Sequence, residues 1–263
     1  MQKNIVAAIV GSSFNNANEW DFEELSIATP YGSQKVYKKE SQTNIGYLLY
    51  RHGLPHQLLP NQINYPEQIW ALRELGCKAL LSTSSVGVLT EAVPLFKPLL
   101  LDDLLMLDNR LPDGSNCTMF AKKTANQGHL VLREGLFSKS LNQQILDLSA
   151  GLIAKNAKHL VFGYFGGPRT KTSAENRMFQ ILGAQVNSMT LAPEIILANE
   201  FEIPCSGLVV GHKYSLQTPN GNKKKFDVAE SLESAKAAFA KIILAFLQNA
   251  QPVKFGNEIF VFK

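Results

Sequence analysis

Cysteine is scarce in this chain and shows no pairing pattern. Three occur in 263 residues (Cys77, Cys117 and Cys205), an odd number with no Cys-x-x-Cys spacing, so neither a disulfide framework nor a metal knuckle is expected. Cys77 and Cys205 open apolar runs and read as buried structural thiols. Long hydrophobic runs are also lacking, and no stretch approaches the ~20 apolar residues that span a bilayer. The apolar run at residues 5–10 is too brief for the core of a signal peptide and has no cleavage context, so the cytoplasm is the expected compartment. Excess charge of one sign is missing too. The net charge of +4 suits a small anionic substrate and gives no case for a nucleic-acid surface. Internal repeats, low-complexity segments and linkers are absent.

What is present points to a well-buried α/β chain. Apolar residues make up 45 % and charged residues 18 %, and the length suits one domain over residues 1–263. Residues 5–10 (IVAAIV) form a continuous apolar run, as in a strand buried on both faces, and end in a small-residue turn, Gly11-Ser12-Ser13-Phe14. Such a turn lets backbone N–H groups approach an anion, although an ordinary turn has the same composition. Thr29-Pro30-Tyr31-Gly32 is a turn between β-like segments, and residues 35–39, with Val36 and Tyr37 among lysines, read as a solvated edge strand. Residues 45–50 form another apolar run, which delivers Arg51-His52 to a strand end. Arg51 keeps its charge, and its fork matches a phosphate bidentately. A helix follows Asn64, with Ile69, Trp70, Leu72 and Leu75 at helical spacing.

Residues 78–83 read as a second buried strand closing in a polar loop, Ser84-Ser85-Val86-Gly87. Residues 98–107 form a third apolar run broken by Asp102-Asp103. That pair has no further ligand nearby, so a structural or solvated role is expected rather than a metal site. Helical periodicity runs through residues 140–156, and residues 159–165 read as a strand feeding Gly166-Gly167-Pro168-Arg169-Thr170-Lys171. Residues 206–211 form the last core strand, with His212-Lys213-Tyr214-Ser215 at its end. A loop at residues 217–225, with Lys223-Lys224-Lys225, is placed to cover a site. A long helix over residues 228–248 and an apolar tail at 259–262 close the chain.

Arg51-His52-Gly53…His56…Pro60…Asn64-Tyr65…Trp70-Ala71-Leu72, the Gly-Pro…Ala-Glu frame at residues 167–175, and Asn187-Ser188-Met189-Thr190-Leu191-Ala192-Pro193-Glu194 together resemble the purine nucleoside phosphorylases. The likeness is to the branch acting on methylthioadenosine and methylthioinosine, and it covers nearly the whole chain except residues 108–135. It implies a single-domain α/β phosphorylase fold with a mixed, twisted central sheet flanked by helices, assembled as a homotrimer. It implies phosphate-dependent cleavage of an N-glycosidic bond, with inorganic phosphate as co-substrate and no cofactor or metal. By the same resemblance Ser13, Arg51, His52, Ser84, Ser85 and Thr190 bind phosphate, and Met189 and His56 take the ribose. Val228 and His129 lie toward the 5′ end, His129 where the family presents a residue to the neighbouring subunit's site.

The base-reading positions depart from the family. Thr170 stands where those enzymes have a stacking Phe, and Lys171 where the purine branch has a Glu. Lys213 and Ser215, beside His212, replace an Asp pair or an Asn. Loss confined to the base end suggests a changed leaving group, with Lys213 or Lys171 as proton donor if burial and mutual repulsion lower the pKa. Two other readings remain at this level: a binding relative without catalysis, and a nucleoside hydrolase, against which the retained Arg51-His52 argues.

Overall fold

The computed structural model describes residues 3–14, 20–122, 127–154, 159–216 and 228–261, with side chains in the last segment from Glu230 onward. Side-chain alternation divides the core in two. In β1 (Asn4–Val10), Ala7 and Ile9 join one buried apolar cluster while Val6, Ala8 and Val10 join another. A period of two requires this where both faces of a sheet are covered. β4 (Asn44–Tyr50) divides the same way, with Tyr47 and Leu49 on the first side and Leu48 and Tyr50 on the second. The first face is covered by α1 (Tyr65–Glu74) and α4 (Ala192–Glu200), which pack on each other; α2 (Lys139–Leu148) and α5 (Val228–Asn249) cover the second. α1 starts at Asn64, whose side-chain oxygen accepts the Glu67 N–H at 3.2 Å, a side-chain N-cap.

The remaining strands are β2 (Glu23–Thr29), β3 (Gly32–Glu40), β5 (Leu80–Val88), β6 (Pro98–Leu100), β7 (Asp103–Leu105), β8 (His129–Val131), β9 (Val161–Tyr164), β10 (Val186–Ser188), β11 (Cys205–Tyr214) and β12 (Glu258–Phe260). The mixed sheet runs β2-β3-β4-β1-β5-β10-β9-β7, with β11 pairing β5 and β6; β8 and β12 form a separate antiparallel pair. α3 (Ser173–Ile181) is closed at its start by reciprocal hydrogen bonds between Thr172 and Glu175.

Several sequence expectations are corrected. β3 is not an edge: it pairs β2 and β4, and Val36 and Tyr37 are buried, because the weakly apolar β2 takes the outer position. β5 does not end at Thr83 but runs through Ser84 and Ser85 to Val88, since β11 pairs it along that whole length. Residues 98–107 make two short strands on different neighbours. α2 ends at Leu148, followed by Ala150 and Gly151 with positive φ. The strand at 206–211 extends to Tyr214. The loop at 217–225 and its lysines lie outside the described residues. All three cysteines are buried and free, and burial pushes Cys77 and Cys117 up to about 12. Asp102 and Asp103 accept backbone N–H groups of Leu160 and Leu104. No described group of three or more His, Cys, Asp or Glu can hold a metal, and no described helix is long and apolar enough to cross a membrane.

Candidate active site

A strand has two hydrogen-bonding edges, and β11 occupies one edge of β5 along its length. The other edge is shared. β1 pairs with it up to Ser82, and β10 pairs with it at Gly87 and Val88. Between them, residues 83–86 face neither strand. β1 ends there in Gly11-Ser12-Ser13, β4 ends in Arg51-His52, and the turn from β10 into α4 brings Ser188, Met189 and Thr190. A cavity of about 220 Å3 opens in this gap, lined by Gly11, Ser12, Arg51, His52, His56, Pro60, Ser84, Ser85, Ser188, Met189 and Thr190. Carboxyl ends of parallel strands are where open α/β sheets bind ligands.

Arg51 is wholly buried, and its fork is engaged by the protein itself. Nε and Nη2 donate to the two carboxylate oxygens of Glu194, the latter at 2.8 Å. Nη2 also donates to Ser82 Oγ at 2.9 Å, and Nη1 to the Thr83 carbonyl at 2.8 Å. Ser82 Oγ in turn donates to Glu194. Four of the five N–H groups of a guanidinium are thus used, so the bidentate phosphate contact expected from sequence is not available and one Nη1 hydrogen remains. Nη1 itself lies against Gly11, where a Cβ would come within 2.9 Å of it and 3.4 Å of the Thr83 carbonyl. The glycine permits that approach.

His52 is buried, and its Nδ1 lies 2.8 Å from the Leu58 carbonyl. A carbonyl only accepts, so Nδ1 carries the hydrogen and Nε2 the lone pair. Burial, then the Arg51 charge, depress the His52 pKa to about 4, and the ring is neutral at neutral pH. His52 therefore offers an acceptor rather than a cation. His56 stacks on it with centroids 4.3 Å apart.

Hydroxyls dominate the rest. Ser84 Oγ lies 3.2 Å from Ser188 Oγ and 3.4 Å from Thr190 Oγ1. Ser13 Oγ and Ser85 Oγ are 3.0 Å apart. Ser188 Oγ donates to the Ser85 carbonyl at 3.0 Å. Leu191, next to Thr190, holds φ 77° while fully buried, a conformation uncommon for a branched residue and one that clusters at ligand sites. Met189 sulfur packs near Gly167. Phe14 turns away from this cavity and is buried on the α5 side against Trp20, with centroids 5.1 Å apart.

The positions expected from sequence to meet the base are held less tightly. Thr170 and Lys213 are exposed, and Lys171 is partly buried. Burial, then the charge of Lys213, lower the Lys171 pKa to about 8, so the two ammonium groups are near enough to repel. Ser215 donates its N–H to the Val88 carbonyl, and its own carbonyl accepts from Asn176. His212 Nε2 lies 3.0 Å from Ser85 Oγ, which ties this end to the hydroxyl cluster. His129 stands apart, on β8, in a separate cavity with Leu104, Met106 and Glu200. The Val228 side chain lies outside the described residues. Glu194, Ser82 and Ser188 were not singled out from sequence. The Pro193-Glu194 pair at the head of α4 was the available signal, but its partner lies 143 residues away.

The chain is similar to known proteins in both sequence and fold. Residues 6–248 match the family model described as "Phosphorylase superfamily". The chain is 29 % identical over 231 residues to a probable S-methyl-5′-thioinosine phosphorylase of Methanopyrus kandleri, covering 86 % of each chain. It is 28 % identical over 247 residues to a 6-oxopurine nucleoside phosphorylase of Pyrococcus furiosus, covering 91 % of each. The fold superposes on methylthioadenosine phosphorylase from Schistosoma mansoni in complex with tubercidin with a TM-score of 0.77. That match has 21 % identity and covers 94 % of this chain and 91 % of the other.

Proposed function

The chain belongs to the phosphorylase superfamily, and on that premise we propose that it cleaves the N-glycosidic bond of a purine or purine-like nucleoside with inorganic phosphate, releasing free base and sugar 1-phosphate. The observation that carries this reading is the hydroxyl-lined cavity in the unpaired edge of β5, floored by Met189 and bordered by buried Arg51. Relatives named for 6-oxopurine nucleosides and for 5′-methylthio nucleosides support the substrate class.

In this proposal Ser13, Ser84, Ser85, Thr190 and the remaining Arg51 N–H hold the phosphate. Neutral donors fixed beforehand suit a group whose charge shifts during reaction, because no reorganisation is needed at the moment of attack. His52, at the edge of the phosphate, accepts a sugar hydroxyl through Nε2. Met189 lies beneath the ribose with His56 beside it, and a neighbouring subunit's His129 faces the 5′ substituent in an enzyme that works as a homotrimer. Thr170, Lys171, His212, Lys213 and Ser215 meet the base. Phosphate attacks the anomeric carbon as the bond to the base breaks through an oxocarbenium-like state, held in line by the fixed donors. The reaction uses no cofactor and no metal, and the enzyme works in the cytoplasm.

A screen of nucleosides with and without phosphate tests it, reading sugar 1-phosphate. Turnover only with phosphate is expected. Binding without turnover would assign a non-catalytic relative, and free sugar without phosphate would assign a hydrolase.

A further inference from the structure

The segment that carries Lys171 starts at the wall of the hydroxyl-lined cavity. Gly167 packs on Met189 and Pro60, which both line it: a Cβ on Gly167 would come within 3.2 Å of the Met189 sulfur and 2.8 Å of Pro60. Further along, the segment is pinned to the head of α3. The Glu175 carboxylate accepts both Arg169 Nη groups, at 2.9 and 2.7 Å, and the Thr172 N–H at 2.7 Å. α3 is tied in turn to β10 and to the end of β11, because Asn176 accepts from Asn187 at 2.9 Å and donates to the Ser215 carbonyl at 3.3 Å. Lys213 arrives from the other side. In β11, Gly211 stands opposite Val86 and Lys213 opposite Gly87, so His212 is an extra residue, a bulge of the kind that re-aims side chains beside active sites. Gly87 pairs across to Asn187, the neighbour of cavity-lining Ser188.

Two cations thus converge beside the cavity without an anion of their own. Lys171 is partly buried and Lys213 exposed, so the pair is open to a ligand. Among the described residues no carboxylate pairs with either. Glu175, the acid felt at Lys171, is engaged by Arg169 and the α3 cap. Two ammonium groups offer only donors and repel each other, so the group that fits between them is an acceptor bearing negative charge.

We propose that Lys171 and Lys213 select a nucleoside whose base is anionic at neutral pH, holding its charged edge between the two ammonium groups. This inference rests on the phosphorolysis reading, which sets the sugar on Met189 and directs the base toward these lysines. A neutral oxopurine can accept a hydrogen bond but leaves the repulsion in place, and an amino group opposes the lysines with further donors. A base that begins as an anion gains a second negative charge as the C1′–N bond breaks, since the electron pair stays on its nitrogen. Two cations at its edge stabilise that charge. The C1′–O bond forms to a phosphate oxygen, the phosphate O–H proton is released to solvent, and the free base takes up one proton from solvent. Charge and protons balance. The lysines act on a base already tethered through its sugar, so they have no need to hold free phosphate.

The test uses the purified full-length protein at neutral pH with two matched pairs of nucleosides. Xanthosine is paired with inosine, the anion being on the ring, and nicotinic acid riboside with nicotinamide riboside, the anion being a carboxylate. Affinity is read by calorimetry without phosphate, and kcat/KM with it. Wild type should favour the anionic member of at least one pair by about tenfold or more, the factor expected of one charge-assisted contact. The preferred pair tells a ring anion from a carboxylate. Lys171→Met/Lys213→Met should abolish the preference, and Lys213→Arg, which keeps the charge, should retain it. Equal or tighter binding of the neutral member in both pairs would overturn the proposal, as would an anion preference that survives in the double methionine variant. Absence of turnover for all four nucleosides with phosphate would instead remove the phosphorolysis reading, and the binding ratios would still decide whether the lysines select an anion.

Discussion

The end of the cleft proposed to hold phosphate and the end proposed to meet the base differ in how their polar groups are held. At the first, Arg51 is locked by Glu194, Ser82 and the Thr83 carbonyl, His52 is fixed by Leu58, and hydroxyls lie against one another at 3.0–3.4 Å. At the second, Thr170 and Lys213 face solvent, and Lys171 is half-buried beside the like charge of Lys213. A tetrahedral anion presents the same geometry in every reaction cycle, so rigid donors built into strand ends suit it. The base end sits on exposed positions where side chains change with little cost to folding. That asymmetry is what lets the residues proposed to meet the base depart from the family pattern while the proposed phosphate cavity keeps its form.

The largest expected effect breaks the rigid end. Arg51→Ala or Glu194→Ala leaves one buried charge unpaired and should cost about 3–5 kcal/mol of stability, measured by denaturant melts. Replacing both with apolar residues of similar volume should recover most of that loss, because an unpaired buried charge costs more than an absent pair. Gly11→Ala comes next. Its Cβ meets an Nη1 held in place by hydrogen bonds and the backbone carbonyl behind it, so overpacking should cost about 1–3 kcal/mol, and the KM for phosphate should rise with the loss of stability.

Lys213→Ala should change stability by no more than about 0.5 kcal/mol, and its signature is in pH instead. Lys171 has a folded pKa near 8, below its ordinary 10.5, so between these values the unfolded chain binds more protons and stability rises with pH. Removing Lys213 relaxes the second of the two causes, moves the Lys171 titration upward and flattens that slope. A slope unchanged in Lys213→Ala would mean that the two lysines do not interact.

The scaffold was largely legible because apolar period and position agree. Residues 5–10 and 45–50 are apolar on both faces, Asn64 caps α1, and the stripe through Phe239, Ile243 and Phe246 buries α5. What was missed depends on pairing between distant segments. Ser84-Ser85 reads as loop but is strand, because β11 supplies the ladder whatever the side chains are. The Arg51 fork looks free in sequence, and only folding brings Glu194 to it. The bulge that turns His212 toward Ser85 has no local sequence signal, since it arises from a register mismatch between β11 and β5.

Whether the rigid hydroxyl cluster, rather than the lysine pair, holds phosphate can be measured by titrating inorganic phosphate into the protein by calorimetry without nucleoside. Wild type, a Ser84→Ala/Thr190→Val double variant and a Lys171→Met/Lys213→Met double variant should each be measured. The hydroxyl variant should bind at least about tenfold more weakly, from two lost hydrogen bonds of roughly 1 kcal/mol each, and the lysine variant should change by less than about threefold; these values hold if the hydroxyls are the phosphate site. Phosphate affinity that falls with the lysines and survives loss of the hydroxyls would contradict that assignment.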